Sequence, residues 1–203
     1  MSAYDLIRQF YFITHIDNIP SIIEKGVFSH EKIANENIKF TPIYDNEIVI
    51  RRSEKITSDG KDLWSYANLF FEPRNPMLYR VIIEKDVSNL AVIAIDKRVL
   101  MLEGVLVTTG NAASDATEIR RVKELNKTYR EIKQDLTREY WKEFDGSKRR
   151  IMAECLVPDY VPPDYINCIY VSKFEAAEKL KKILKVKIDV TPEPFMFFQP
   201  DYI

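Results

Sequence analysis

The chain has 203 residues, 46% of them hydrophobic, enough to bury one sizeable core, and a single domain over residues 1–203 is expected. With 30 basic and 31 acidic residues the formal charge is -1, which excludes the strongly basic surface of a general polyanion binder and leaves any nucleic-acid contact to a local patch. Cys155 and Cys168 sit in apolar stretches without CxxC or Cys/His spacing, against a zinc site or disulfide framework; no run nears the roughly 20 apolar residues of a membrane span, so a cytoplasmic location is expected.

The aromatic and β-branched stretch Gln9 to His15 reads as a strand. A short helix follows, with Asp17 as its cap, Ile19, Ile22 and Ile23 as its apolar stripe and Gly26 at the left-handed position past its end. Further strands are expected at Glu47 to Ile50, Tyr66 to Phe71, Tyr79 to Ile83 and Val105 to Thr108, between Pro, Asn, Asp and Gly clusters. Ile119, Val122, Leu125, Tyr129, Ile132, Leu136 and Tyr140 recur at spacings of three and four, which predicts an amphipathic helix from Thr117 to Trp141. Beyond Asp145-Gly146 and the basic Lys148, Arg149 and Arg150 come strands at Met152 to Val157 and Tyr165 to Val171. A final helix opens on a capping box, Ser172-Lys173-Phe174-Glu175. The mixture points to an α+β domain and disfavours a parallel doubly wound sheet.

Only two histidines are present, His15 and His30, and no GxSxG, HExxH, P-loop or GxGxxG occurs. Glu154 stands out because strand alternation puts its carboxylate on the face of Met152 and Leu156. It is either turned to solvent or paired with a nearby arginine, or it is a catalytic carboxylate stabilising a cationic sugar transition state. Arg51-Arg52, after a β-rich tetrapeptide, can clamp a pyrophosphate or simply be solvated. The segment from Tyr66 to Tyr79 interleaves aromatics with Arg74 and Asn75, as in a base-stacking surface or in a core strand followed by a Pro-bounded turn.

Three segments in order resemble the DarT family of DNA ADP-ribosyltransferases, the toxins of toxin–antitoxin pairs: Tyr11 to Ile19 with Ile22 and Gly26; Tyr66 to Tyr79 with Phe71-x-Pro-Arg-Asn-Pro-Met; and Ala153 to Val157. The resemblance implies an ADP-ribosyltransferase-like α+β fold, a central split mixed β-structure with flanking helices. NAD⁺ is then the substrate, no metal is needed, and the acceptor is a base of single-stranded DNA. By position, Glu154 and Arg52 are the implied catalytic residues, with Arg51 an alternative to Arg52. Phe12, Thr14, His15, Asn18, Gly26 and Arg52 are implied at NAD⁺, and Arg74, Asn75, Met77 and Asn111 at DNA. Phe12, Trp64 and Asn111 replace histidines of thymidine-modifying members, which favours guanine over thymine. A macrodomain-type antitoxin is the implied partner. The rival functions are an NAD glycohydrolase or protein-directed ADP-ribosyltransferase, and a non-enzymatic single-strand-binding module.

Overall fold

The structure, a computed structural model, describes residues 1–43, 52–57 and 59–199. Ten strands are assigned: β1 (Gln9–His15), β2 (Val27–Phe28), β3 (Tyr66–Phe70), β4 (Leu90–Asp96), β5 (Leu106–Thr108), β6 (Ile119–Arg121), β7 (Glu154–Pro158), β8 (Tyr160–Val161), β9 (Ile166–Val171) and β10 (Asp189–Pro192). Eight form one mixed sheet in the order β10-β9-β4-β1-β3-β7-β5-β6, antiparallel except for β9 with β10, while β2 and β8 pair separately. The helices lying wholly within the described residues are α1 (Ala3–Leu6), α2 (Ile19–Lys25), α3 (His30–Asn35), α4 (Pro76–Glu84), α5 (Leu125–Leu136), α6 (Ser147–Arg150) and α7 (Phe174–Ile183). The expected α+β class holds.

Side chains alternate across the sheet and bury on both faces. Phe10, Leu69, Ile93, Cys155 and Ile169 pack with α7 residues Ala176, Ala177 and Leu180, while Ile13, Phe70 and Val92 pack with Leu78 and Val81 of α4 and with Phe197. The sheet is nearly parted at its middle. β1 runs beside β4 over seven register pairs, whereas β1 and β3 meet through the single pair Tyr11↔Phe70. Past that pair the two strands diverge, and the site opens between them.

β4 was not foreseen, although Leu90 to Ile95 are fully buried. Its six continuous apolar residues between Asn89 and Asp96 carry the pattern of a strand covered on both faces. The expected strand at Tyr79 to Ile83 is instead part of helix α4: Asn75 Oδ1 accepts from Met77 and Leu78 N–H (3.0 and 3.1 Å), and Pro76 occupies the first turn. The expected helix from Thr117 to Trp141 is correct only over Leu125–Leu136. Ile119 pairs with Thr108 in a β5–β6 hairpin, so strand pairing overrides a period that happened to continue the helical one. Asp17 does not cap α2; His15 Nδ1 accepts from Asp17 N–H (3.2 Å) at the entrance to a short 3-10 turn. Ser172 does not form the capping box either, donating instead to the Val87 carbonyl (3.2 Å), and α7 starts without a side-chain cap. The expected strand at Glu47 to Ile50, and Arg51, lie outside the described residues.

Candidate active site

Glu154 is the first residue of β7, and its side chain keeps 1% of its exposure. A carboxylate this deep needs partners; two groups bond it, and a third fixes the backbone that carries it. Thr108 Oγ1 accepts from Glu154 N–H (2.7 Å) while donating to the Gly110 carbonyl (2.6 Å), which ties β7 to the turn after β5. That turn returns Ala112 N–H to Glu154 Oε1 (2.8 Å). Arg52 closes the set, its Nη1 on Oε1 (3.2 Å) and its Nη2 on Oε2 (2.9 Å), a planar two-bond match of guanidinium to carboxylate. The pairing alternative for Glu154 is thus what the structure has, and it does not displace the catalytic one, because both residues line a cavity.

The cavity measures about 610 Å³, within the range of small-molecule sites, and occupies the gap where β1 and β3 part. Phe12 and Thr14 of β1, Asn68 and Phe70 of β3, and Glu154 of β7 form its floor. Asn18 braces one wall: its amide donates to Thr14 Oγ1 (3.1 Å) and exchanges two hydrogen bonds with the Thr41 backbone (2.7 and 2.9 Å). Gly26 has φ +99°, and a Cβ there would overlap the Val161 carbonyl oxygen, so a side chain is excluded by both backbone and contact.

Of the residues singled out in the sequence, Phe12, Thr14, Asn18, Gly26, Arg52, Met77, Asn111 and Glu154 therefore converge on one cavity. His15, Arg74 and Asn75 are not among its lining residues. His15 turns to Asp17 (3.4 Å), Asn75 is fully buried as the α4 cap, and Arg74 is buried among Phe195, Phe198 and Tyr140. Arg74 Nη1 donates to the Phe195 carbonyl, and its Nε finds no acceptor among the described residues. His15 and Asn75 are thus engaged by local hydrogen bonds, and Arg74 is packed among rings with one of its nitrogens bonded.

His30 was missed. It lines the cavity, with its ring 5.7 Å from that of Trp64. Burial, and then the charge of Arg52, push its pKa from 6.5 down to about 4, so it presents a neutral imidazole at pH 7. Nothing local flagged it beyond its being one of two histidines, since its proximity to Arg52 is a tertiary fact. Among the described residues no group of three or more His, Cys, Asp and Glu is placed to hold a metal ion, and no helix is long and apolar enough to cross a membrane.

A family model described as "ssDNA thymidine ADP-ribosyltransferase, DarT" matches residues 11–198. The chain is 47% identical over 196 residues to a DNA ADP-ribosyl transferase–DNA ADP-ribosyl glycohydrolase fusion protein of Thermosipho africanus (strain H17ap60334), covering 96% of this chain. It spans about half (50%) of that relative's length. Thermosipho africanus DarTG in complex with ADP-ribose superposes with a TM-score of 0.91 at 46% identity, over 95% of this chain and 52% of the other. Thermus sp. 2.9 DarT in complex with ADP-ribosylated ssDNA gives a TM-score of 0.81 at 22% identity, over 94% and 96% of the two chains, a likeness of fold.

Proposed function

The chain belongs to the DarT family, and from that membership we propose that it transfers ADP-ribose from NAD⁺ to a base of single-stranded DNA. The observation that carries this reading is the buried Glu154 carboxylate, held by Arg52 and the Ala112 N–H on the floor of the cavity. In the proposed reaction the bond from the ribose anomeric carbon to nicotinamide breaks and its electron pair leaves with the nicotinamide, neutralising that ring. The sugar becomes cationic, and Glu154 supplies the opposite charge without having to reorganise. Arg52 offsets the cost of burying that carboxylate and fixes its plane. A base atom then bonds to the anomeric carbon and its proton leaves to water. The Thr14 hydroxyl, held by the Asn18 amide, is a neutral polar group at the cavity wall for the nucleotide, and His30 lines the same cavity as a neutral ring. The acceptor must be unpaired, because a duplex hides the Watson–Crick edge.

The family description names thymidine, which makes thymine the base we propose. Guanine is the second reading, supported by Phe12 and Asn111 in the cavity lining in place of histidines. Toxicity and a macrodomain-type antitoxin that removes the modification are part of the same proposal, supported by the glycohydrolase joined to the transferase in the relative. The test is intact-mass spectrometry of single-stranded oligonucleotides, each with one kind of reactive base, incubated with NAD⁺ and either the protein or Glu154→Gln. A gain of one ADP-ribose with thymine supports the first reading, with guanine the second. NAD⁺ consumption without any DNA adduct would instead favour a glycohydrolase or a protein-directed transferase.

A further inference from the structure

Beside the cavity lies a cluster of aromatic rings that the proposed chemistry does not use; Phe198 roots it on the core around Phe197, and the other rings extend outward. Tyr79 and Trp141, both in the cavity lining, meet edge to face at 5.7 Å, and Phe198 joins them at 5.2 and 6.3 Å. Tyr140 extends the group, 6.2 Å from Phe198 at a shallow 38°. Unlike core aromatics, Tyr79 and Tyr140 keep 41% and 55% of their exposure. Phe198 has a left-handed backbone, φ +57°, unfavourable for a bulky residue, where it ends a 3-10 turn with its N–H on the Phe195 carbonyl (3.2 Å), and the Arg74 guanidinium lies 4.4 Å from its ring centroid. Fixed, half-exposed rings continuous with a pocket mouth make a surface for flat ligands.

We propose that Tyr79, Tyr140, Trp141 and Phe198 form a stacking platform for the unpaired bases that flank the acceptor base; this rests on the single-stranded-DNA reading of the cavity. The nearby charges argue that stacking, not phosphate attraction, dominates. Arg80 and Lys148 line the same cavity, but Arg80 is paired with Glu84 (2.7 Å) and Lys148 with Glu143 (3.0 Å), and both acids line it too. These two cations beside the platform are thus matched by acids, while Lys25 and Lys39 of the lining belong to α2 and to the segment after α3. Binding should therefore depend weakly on salt, with log affinity against log salt no steeper than about -2, the slope of roughly three phosphate contacts. Arg74 serves as the brace behind the platform, which accounts for a buried arginine among rings where a DNA contact was expected.

The experiment compares the full chain with Tyr140→Ala, Tyr140→Phe and Trp141→Ala on acceptor oligonucleotides of about ten nucleotides and on the shortest acceptor that reacts. Tyr140 is exposed, so its replacement does not threaten the fold. The expected result is an oligonucleotide KM raised about tenfold by either alanine, with Tyr140→Phe like the wild type. For Tyr140→Ala, whose side chain lies outside the cavity lining, kcat at saturating DNA, the KM for NAD⁺ and the KM for the shortest acceptor stay constant. Equal KM values for wild type and both alanine variants on the long oligonucleotide, or a salt slope steeper than about -4, overturn the platform. If the wild type modifies no oligonucleotide, the functional reading fails instead. Quenching of tryptophan fluorescence by oligothymidylate, lost in Trp141→Ala, then still decides whether the platform binds bases.

Discussion

The Arg52 guanidinium meets the Glu154 carboxylate through two hydrogen bonds of 3.2 and 2.9 Å, with 11% and 1% of the two side chains exposed. Removing the two partners therefore has unequal consequences for the fold. Arg52→Ala leaves a buried carboxylate held by the Ala112 N–H and should cost about 3–5 kcal/mol. Glu154→Gln keeps the shape and one acceptor but turns an amide NH2 toward Arg52, so it should cost less than Arg52→Ala, whose lone charge is the more deeply buried, while lowering kcat about a hundredfold or more. Urea denaturation and single-turnover rates check both; an Arg52→Ala protein as stable as wild type would show that the pair contributes no net stability.

Gly110 is held against Arg149. A Cβ at Gly110 would sit 2.6 Å from Arg149 Nη1 and 2.8 Å from the Arg149 carbonyl oxygen. Arg149 also donates to the Thr109 carbonyl (3.0 Å), and its own carbonyl accepts from Asn111 N–H (3.0 Å). Gly110→Ala should push this turn outward, separate Ala112 N–H from Glu154 and reduce kcat about ten- to a hundredfold. Because one of the three close contacts is with the Arg149 backbone, adding Arg149→Ala should not fully restore the rate; full recovery in the double variant would contradict this account.

Two half-buried titratable groups give opposite pH dependences of stability. Burial pushes Glu72 from 4.5 up to about 7. Between these values the folded state binds the proton more readily, so stability rises as pH falls from 7 to 4.5, and Glu72→Gln should stabilise the protein at pH 8 by on the order of 2–3 kcal/mol. His30 is depressed from 6.5 to about 4, so stability falls as pH drops through that window, and a His30→Gln variant lacks this loss. Urea midpoints at pH 5, 6.5 and 8 for the three proteins test the signs. His30 should also leave no inflection in the rate profile between pH 6 and 8.

Asn75 reads as a DNA contact by position but acts as a helix cap. Its Oδ1 accepts from Met77 and Leu78 N–H and its amide donates to the Glu72 carbonyl (2.8 Å). Asn75→Ala should cost about 1 kcal/mol with the oligonucleotide KM unchanged. A KM shift without loss of stability would restore the DNA role.

How much was legible follows the range of each signal. β1, β7 and the Gly26 turn carried local patterns, and the family motifs lie on them. Asn75-Pro76 also carried its own helix start, which alternation of Tyr79 to Ile83 obscured. The true extent of α5 was hidden because Ile119 and Val122 suit either period, and only pairing with β5 decides between them. The Arg52–Glu154 pair joins residues 102 positions apart, and the neutral state of His30 depends on Arg52; neither has a local pattern to read.

The divergence of β1 from β3 creates two strand edges in the interior of a sheet, each bordered on its far side by a complete ladder. An open edge on the outside of a protein invites pairing with another chain, and proteins usually blunt it with charge or proline. Here the edges face a cavity whose walls come from α2, α3 and α4, so a foreign strand cannot lie along them. A bound nucleotide that spans the gap would tie one half of the sheet to the other, and the same contacts that hold substrate would then resist unfolding in proportion to its occupancy.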